Sequence, residues 1–108
     1  MEFKSESVKD KVLVYIGGRL DATNADSFDQ KLTDLIEENP SDILIDLSEL
    51  TYISSIGLRG IIAAAKKLQQ LNRELTLCAP LDHIKEIFNI AGFNQILKIY
   101  QTQAEALE

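Results

Sequence analysis

Residues 43–71 read ILIDLSELTYISSIGLRGIIAAAKKLQQL, and they contain a strand, a turn and a helix in succession. The segment opens on an almost continuous apolar run, which is typical of a strand covered on both faces. From Leu58 onward, apolar residues recur at steps of three and four, the spacing of an amphipathic helix. The turn between them carries two adjacent serines, Ser54 and Ser55. We expect the functional site at this junction, because its hydroxyl groups stand at the start of a helix.

The segments on either side predict an α/β fold with a mixed sheet. Helices are expected after a cap at Thr23 and before a left-handed stop at Gly92. A short last helix is expected after Thr102, which has the spacing of a capping box from Glu105. The order ββαβαβαβα predicts about five strands with a parallel centre and four helices, in one domain over residues 1–108. The other four strands, of which the first two form a hairpin, are expected at residues 2–8, 11–19, 74–79 and 96–100.

Composition and charge exclude several classes of function. The formal net charge is −6 and the eleven basic residues are scattered, whereas nucleic-acid binding requires a clustered basic face. The same charge disfavours an anionic membrane surface, and the longest apolar stretch, residues 61–65, is too short to span a bilayer. The opening MEFKSESVKD lacks the apolar core of a secretion signal. We therefore expect a cytoplasmic protein that binds no nucleic acid and does not insert into a membrane.

The sequence lacks the signatures of enzymes, metal sites and nucleotide sites. His83 is the one histidine, and the sequence supplies no evident partners for a metal site or a catalytic triad around it. We expect it to be a satisfied surface or core residue. Gly17 and Gly18 belong to neither a phosphate-binding loop nor a dinucleotide fingerprint, and are expected to let the second strand bend or bulge. Cys78 is expected to be a buried free thiol. We expect no enzyme activity, no metal and no cofactor.

The residues that begin the central helix require a further explanation. A serine before a helix is ordinarily an N-cap whose oxygen accepts a backbone N–H, and this accounts for one serine but not for two. Gly57 and Gly60 lie on one narrow side of the helix, although each glycine costs a helix about 1 kcal/mol relative to alanine. Two explanations remain open: tight packing against the chain's own sheet, or the close approach of a partner.

A hydroxyl at the start of a helix has the physical properties of a phosphate switch. Phosphoserine carries about −1.5 to −2 charges, which the helix dipole and the free amides of the first turn tolerate. The fold would therefore survive the modification. The new charge would act on binding, because it would lie in the centre of any surface built from this turn.

The segment DLSELTYISSIGLR, residues 46–59, resembles the signature of STAS domains, specifically of bacterial anti-sigma factor antagonists. The sequence GRLD at residues 18–21 resembles the loop that enters the first helix in that family, and residues 99–107 are similar to its ending. The resemblance covers almost the whole chain. It implies the STAS fold over residues 1–108.

In that family, the antagonist binds an anti-sigma factor that is also a serine kinase, and thereby frees a sigma factor for transcription. The kinase phosphorylates a serine two positions before the glycine of the turn, which releases the antagonist, and a serine phosphatase restores binding. By this resemblance Ser55, two positions before Gly57, is the phosphorylation site. Two positions depart from the family pattern: Ser54 stands where many members have aspartate, and Ile56 stands where a second hydroxyl is frequent.

The resemblance further implies a partner-binding surface around Ser55, which a phosphate group would block. Asp21 is expected near the turn, where it would orient the turn or the partner. The alternative is a STAS interaction module of another assembly, a lipid-transport complex or a signalling scaffold, in which the same surface binds a constant partner without phosphorylation. The residues expected to contact the partner are Asp21, Ser54, Ile56, Gly57, Arg59 and Gly60.

Overall fold

The computed structural model describes residues 1–108 as a five-stranded sheet with four α-helices and one 3-10 turn. The strands are β1 (Glu2–Val8), β2 (Lys11–Leu20), β3 (Asp42–Ile53), β4 (Leu75–Cys78) and β5 (Lys98–Tyr100). The helices are α1 (Ala25–Glu38), α2 (Ser55–Gln70), α3 (Asp82–Ile90) and α4 (Gln103–Ala106), and the 3-10 turn is Phe93–Gln95.

The five strands lie side by side in chain order. The β1–β2 pair is an antiparallel hairpin, and each later neighbouring pair is parallel. The α/β class, the mixed sheet with a parallel centre and the four helices predicted from the sequence are thus confirmed.

The two faces of the sheet are covered unequally, because side chains alternate between the faces along a strand. On one face, Val12, Val14 and Ile16 of β2 belong to the main core of 21 buried residues, which also takes buried residues from α1, α2 and α3. On the other face, Leu13 and its neighbours form a smaller cluster that includes Ala106 of α4. The three longer helices therefore pack on one side of the sheet, and α4 closes part of the other side.

The strands β2 and β3 extend beyond β4. Only Ile43–Asp46 of the twelve residues of β3 pair with β4, whereas β3 pairs with β2 as far as Ile53. The pairing with β2 shifts register around Gly17 and Gly18, and Gly18 has a φ of 83°, which favours glycine. This confirms the bulge predicted there. The turn that carries the two serines thus stands at the end of a projecting pair of strands.

Two local expectations from the sequence are wrong. Thr23 does not cap α1, since Asn24 stands in the capping position and Thr23 donates its N–H and hydroxyl to Asp21. The last strand is shorter than residues 96–100, because a 3-10 turn at Phe93–Gln95 delays it to Lys98. Neither shift changes the order of the elements.

The structure contains no group of three or more histidine, cysteine, aspartate or glutamate side chains that could hold a metal ion. None of its helices combines the length and the apolar character needed to cross a bilayer.

Candidate binding site at the start of α2

Ser54 fixes the turn between β3 and α2. Its side-chain oxygen accepts a hydrogen bond from the Gly57 N–H at 3.2 Å, which satisfies one of the free amides at the start of the helix. Its own N–H donates to the carbonyl oxygen of Leu20, the last residue of β2, at 2.9 Å. The half-buried Ser54 is therefore committed to holding the helix start against the end of β2.

Ser55 is the first residue of α2, and it is exposed to solvent. The first N–H groups of a helix have no acceptor within it, so the Ser55 side chain stands beside partly positive amides. An anion attached to this hydroxyl would meet the favourable end of the helix dipole. Of the two serines in the turn, Ser55 alone is both exposed and free of the capping role.

Ile56 and Arg59 extend the exposed surface around Ser55. Ile56 is 47% exposed and places an apolar side chain at the surface next to Ser55. Arg59 is exposed and lies one helical turn after Ser55, so the two residues share one side of α2. We call Ser55, Ile56 and Arg59 the docking surface. It combines a hydroxyl, an apolar side chain and a cation.

Gly57 and Gly60 are explained by packing within the molecule. Gly57 is buried, and a Cβ placed on it would lie 2.7 Å from Cγ of Leu20 and 3.2 Å from Cγ1 of Ile53. At Gly60, an added Cβ would collide with Oδ1 of Asp29 on α1. Both positions need glycine or a local shift because α2 approaches β2 and α1 closely. Of the two explanations left open by the sequence, packing within the molecule is present at both glycines, and Gly57 lies beneath the docking surface.

Asp21 lies in the connection that follows β2, beside the serine turn. The residue before it, Leu20, accepts the hydrogen bond from the Ser54 N–H, which joins the two connections. Hydrogen bonds from the Thr23 hydroxyl and N–H lower the pKa of Asp21 below its ordinary value, and the charge of Arg19 lowers it further. Asp21 is thus held as a carboxylate that orders the start of the α1 connection.

Sequence reasoning missed two contacts near the docking surface. The guanidinium carbon of Arg19 lies 4.1 Å from the centre of the Tyr52 ring, and the two residues are paired across β2 and β3. Nε2 of His83, at the start of α3, lies 2.7 Å from the carbonyl oxygen of Thr51. His83 is exposed and hydrogen-bonded, as expected of a satisfied surface histidine. The sequence signal for the first contact was an aromatic residue, Tyr52, near the end of the predicted third strand.

A second polar cluster lies under α4, on the opposite face of the sheet. Gln103 donates to the buried carboxylate of Asp46 at 2.9 Å and to the Tyr15 hydroxyl at 3.1 Å. Cys78 is fully buried beside them, and burial, with a smaller effect of Asp46, raises the pKa of its thiol to about 12. The expectation of a buried free thiol is confirmed.

The arrangement described above, a mixed sheet with a capped serine turn leading into its central helix, has known counterparts. The STAS domain family model matches residues 3–106. The chain belongs to the STAS domain family. The match covers the turn, the docking surface and the cluster under α4 of this STAS domain.

Relatives of this STAS domain are named as anti-sigma factor antagonists. BtrV of Bordetella bronchiseptica, which carries such a description, is 29% identical over 106 residues, covering 98% of this chain and 91% of BtrV. A Thermotoga maritima structure with the same description has a TM-score of 0.90 at 25% identity, covering 97% of this chain and 91% of that one.

The anti-sigma factor antagonist SpoIIAA shares the fold of this STAS domain. Its unphosphorylated form has a TM-score of 0.83 at 19% identity, covering 98% of this chain and 93% of SpoIIAA. The SpoIIAA of Bacillus is also known in a phosphorylated form, with a TM-score of 0.75 at 19% identity, covering 98% of this chain and 96% of that one.

Proposed function

We propose that this chain is an anti-sigma factor antagonist that is switched off by phosphorylation of Ser55. It binds an anti-sigma factor with serine kinase activity and thereby frees a sigma factor for transcription. The observation that carries this proposal is the division of roles between the two serines: Ser54 caps α2, whereas Ser55 is exposed at the helix start. The names of the relatives support the same function.

In the unmodified state, Ser55, Ile56 and Arg59 dock on the partner. Ile56 supplies apolar area, and its exposure before binding makes its burial favourable by roughly 1 to 2 kcal/mol. Arg59 lies at the rim of this contact, where a cation contributes more to orientation and association rate than to affinity. Gly57 and Gly60 act indirectly, since their close packing sets the position of α2.

Phosphorylation of Ser55 opposes docking through charge and desolvation. The phosphate group adds about −1.5 to −2 charges in the centre of the docking surface. Burying that charge without a partner costs several kcal/mol, which corresponds to roughly a thousandfold loss of affinity. The helix itself is not disrupted, because the phosphate stands at the N-terminus of α2.

The enzymes of the switch are partners of this chain. The anti-sigma factor kinase supplies the catalytic base, the nucleotide and the metal ion, and the chain supplies the acceptor hydroxyl. A serine phosphatase removes the phosphate and restores binding. The existence of SpoIIAA in phosphorylated and unphosphorylated forms is a precedent for both states within the same fold.

The test uses the purified chain and each anti-sigma factor kinase encoded in the same genome. Incubation with ATP followed by peptide mass spectrometry is expected to place one phosphate on Ser55 and none on Ser54. The Ser55→Ala variant is expected to bind the kinase like the wild type and to accept no phosphate, and Ser55→Glu to bind at least tenfold more weakly. Binding is measured by calorimetry.

Ser54→Ala is the matched control, because it removes a neighbouring hydroxyl of the same size. It is expected to be phosphorylated on Ser55 despite the loss of the helix cap. An unmodified Ser55, together with undiminished binding by Ser55→Glu, would contradict the proposal. That result would favour the alternative, in which the domain is a constitutive interaction module of another assembly.

A further inference from the structure

Arg19 and Tyr52 form a stacked pair at the projecting end of β2 and β3. The guanidinium carbon lies 4.1 Å from the ring centre, within the range of a cation–π contact. Both side chains are exposed, and Tyr52 retains 39% of its accessible surface. Neither residue supports the core. The pair is therefore a surface feature that the packing of the molecule does not require.

The contacts of Arg19 leave one edge of its guanidinium group unused. Its face lies on the Tyr52 ring, and its Nε lies 3.7 Å from Oδ2 of Asp21. The two terminal nitrogens, Nη1 and Nη2, donate to no acceptor in the chain. The Arg19 side chain is 63% exposed, so this edge is open to solvent. Asp21 and Tyr52 thus flank the guanidinium, and its two parallel Nη donors are free.

The stacked pair is joined to the docking surface through the backbone. Arg19 pairs with Tyr52, the next residues Leu20 and Ile53 pair in turn, and the Ser54 N–H donates to the Leu20 carbonyl. Only two residues separate Tyr52 from Ser55. Arg19 and Tyr52 therefore lie at the same end of β2 and β3 as the docking surface, on the sheet face opposite to the one that Leu20 and Ile53 turn toward the main core. A partner that extends from the docking surface over this end of the sheet meets the Arg19 edge.

We propose that Arg19, held by Tyr52 and Asp21, is a specificity-determining residue that receives an aspartate or glutamate side chain of the anti-sigma factor. This inference rests on the proposed function of the docking surface. Two parallel N–H donors match the two oxygens of a carboxylate, and such pairs are geometrically selective. One face of the guanidinium lies on the Tyr52 ring, and the free N–H edge is the part that can donate to a carboxylate.

The pair also discriminates between partners. A chain with a net charge of −6 attracts basic protein surfaces in general. Arg19 repels such a surface locally unless the partner places a carboxylate opposite it. Among several anti-sigma factors, the cognate one is then distinguished by an acidic residue placed opposite Arg19.

The experiment measures binding of the purified anti-sigma factor that binds the wild-type chain. Arg19→Gln and Tyr52→Leu are each expected to weaken binding by about tenfold, and Arg19→Glu by about a hundredfold or more. Tyr52→Phe keeps the ring and is expected to bind within twofold of the wild type. Charge reversal of single acidic residues on the anti-sigma factor is expected to reveal one that restores binding to Arg19→Glu.

Lys98→Glu is the matched control. Lys98 also lies over a tyrosine ring, that of Tyr100 at 5.3 Å, but on β5 at the far edge of the sheet. It changes the net charge from −6 to −8, as Arg19→Glu does. It is expected to leave affinity within twofold of the wild type, so that a local effect of Arg19 is separated from the effect of overall charge.

Three outcomes overturn the inference in distinguishable ways. Equal binding by Arg19→Glu and Lys98→Glu, with Ser55→Glu still defective, removes the role of Arg19 and leaves the proposed function intact. Failure of the wild type to bind any anti-sigma factor removes both. The wild type could also form a dimer in sedimentation that Arg19→Glu abolishes. That result would mean that the carboxylate bound by Arg19 belongs to a second copy of this chain instead of the anti-sigma factor.

Discussion

Two glycines in one helix have different neighbours, and this difference has a measurable consequence. Gly57 faces the branched, buried side chain of Leu20, whereas Gly60 faces the end of the exposed Asp29 side chain. An added methyl group gains about 1 kcal/mol of helix propensity at either site. At Gly57 this gain is exceeded by overpacking, which costs about 1–3 kcal/mol, while Asp29 can swing away from Gly60 into solvent.

We therefore expect Gly57→Ala to lower the free energy of unfolding by up to about 2 kcal/mol. Gly60→Ala should leave it unchanged or raise it by up to about 1 kcal/mol. Urea denaturation of the two variants beside the wild type measures both values. Equal losses would show that the two glycines share one role, which the contacts of Leu20 and Asp29 do not support.

Substitutions of the two adjacent serines should likewise differ in their effect on the free energy of unfolding. Ser54→Ala removes the hydrogen bond to the Gly57 N–H and is expected to cost about 1 kcal/mol of unfolding free energy. Ser55→Ala removes an exposed hydroxyl without a capping role and should change it by less than about 0.5 kcal/mol. Thermal denaturation checks this order. A larger loss for Ser55→Ala would reverse the assignment of the cap.

At the scale of elements, α4 is held to the sheet by a small set of polar contacts, which include hydrogen bonds from Lys9 Nζ to the Leu107 carbonyl and from Lys11 Nζ to the Ala106 carbonyl. It has four residues, and Gln103 ties it to Asp46 and Tyr15 across the surface of the smaller apolar cluster. Beneath it, the thiol of Cys78 is fully buried. Because the thiol is buried beneath α4 and burial raises its pKa to about 12, we expect Cys78 to react with a thiol reagent only when α4 moves away.

We expect Gln103→Ala to accelerate labelling of Cys78 by a thiol reagent about tenfold or more. The substitution leaves Oδ2 of Asp46 without its hydrogen bond, which destabilises the closed state by about 1.5–3 kcal/mol. Gln101→Ala, at an exposed position just before α4, is the control and should leave the rate unchanged. Equal rates for all three proteins would show that α4 does not govern access to Cys78.

The order and type of the elements follow from the sequence because periodicity and capping are local properties. The strand at residue 43 and the helix after Ser55 were predictable in this way. The reason for Gly57 was not, because it depends on where Leu20 lies after the sheet has formed. The stack of Arg19 on Tyr52 also required the structure, since the bulge in β2 sets which residues face each other across the strands.

The candidate site was likewise predicted only in part from the sequence. The resemblance points to Ser55, and the structure adds that Ser55 is exposed and that Ser54 is the cap. Thr23 illustrates the limit of capping rules: its side chain bonds to Asp21, and the helix starts one residue later than its spacing suggests. Competing local hydrogen bonds of similar strength cannot be ranked from residue types alone.

For the molecule as a whole, the switch requires that charge at Ser55 leaves the fold intact. The proposed phosphorylation of Ser55 would change the net charge from −6 to about −8. The added charge stands at the N-terminus of α2 and interacts favourably with its dipole. Under the proposed function, loss of binding would then reflect the blocked surface, with no contribution from unfolding.

We expect Ser55→Glu to melt within about 3 °C of the wild type, since an acidic residue in the first turn contributes about 0.3–1 kcal/mol in the stabilising direction. Circular dichroism measures the melting temperature, and gel filtration measures the hydrodynamic size. Ser55→Lys is the control of opposite charge and should melt lower. A marked fall in the melting temperature of Ser55→Glu would mean that added charge acts by unfolding the chain.

The imidazole of His83 lies on the part of β3 that projects past β4. An uncovered strand edge is a template to which another chain can add a strand through its backbone. Strand addition between copies of this chain at this edge would cover the surface beside Ser55. The Thr51 carbonyl already accepts a hydrogen bond from the His83 ring, so it is not available to a strand of a second copy. The end of the strand pair remains free to bind a different protein.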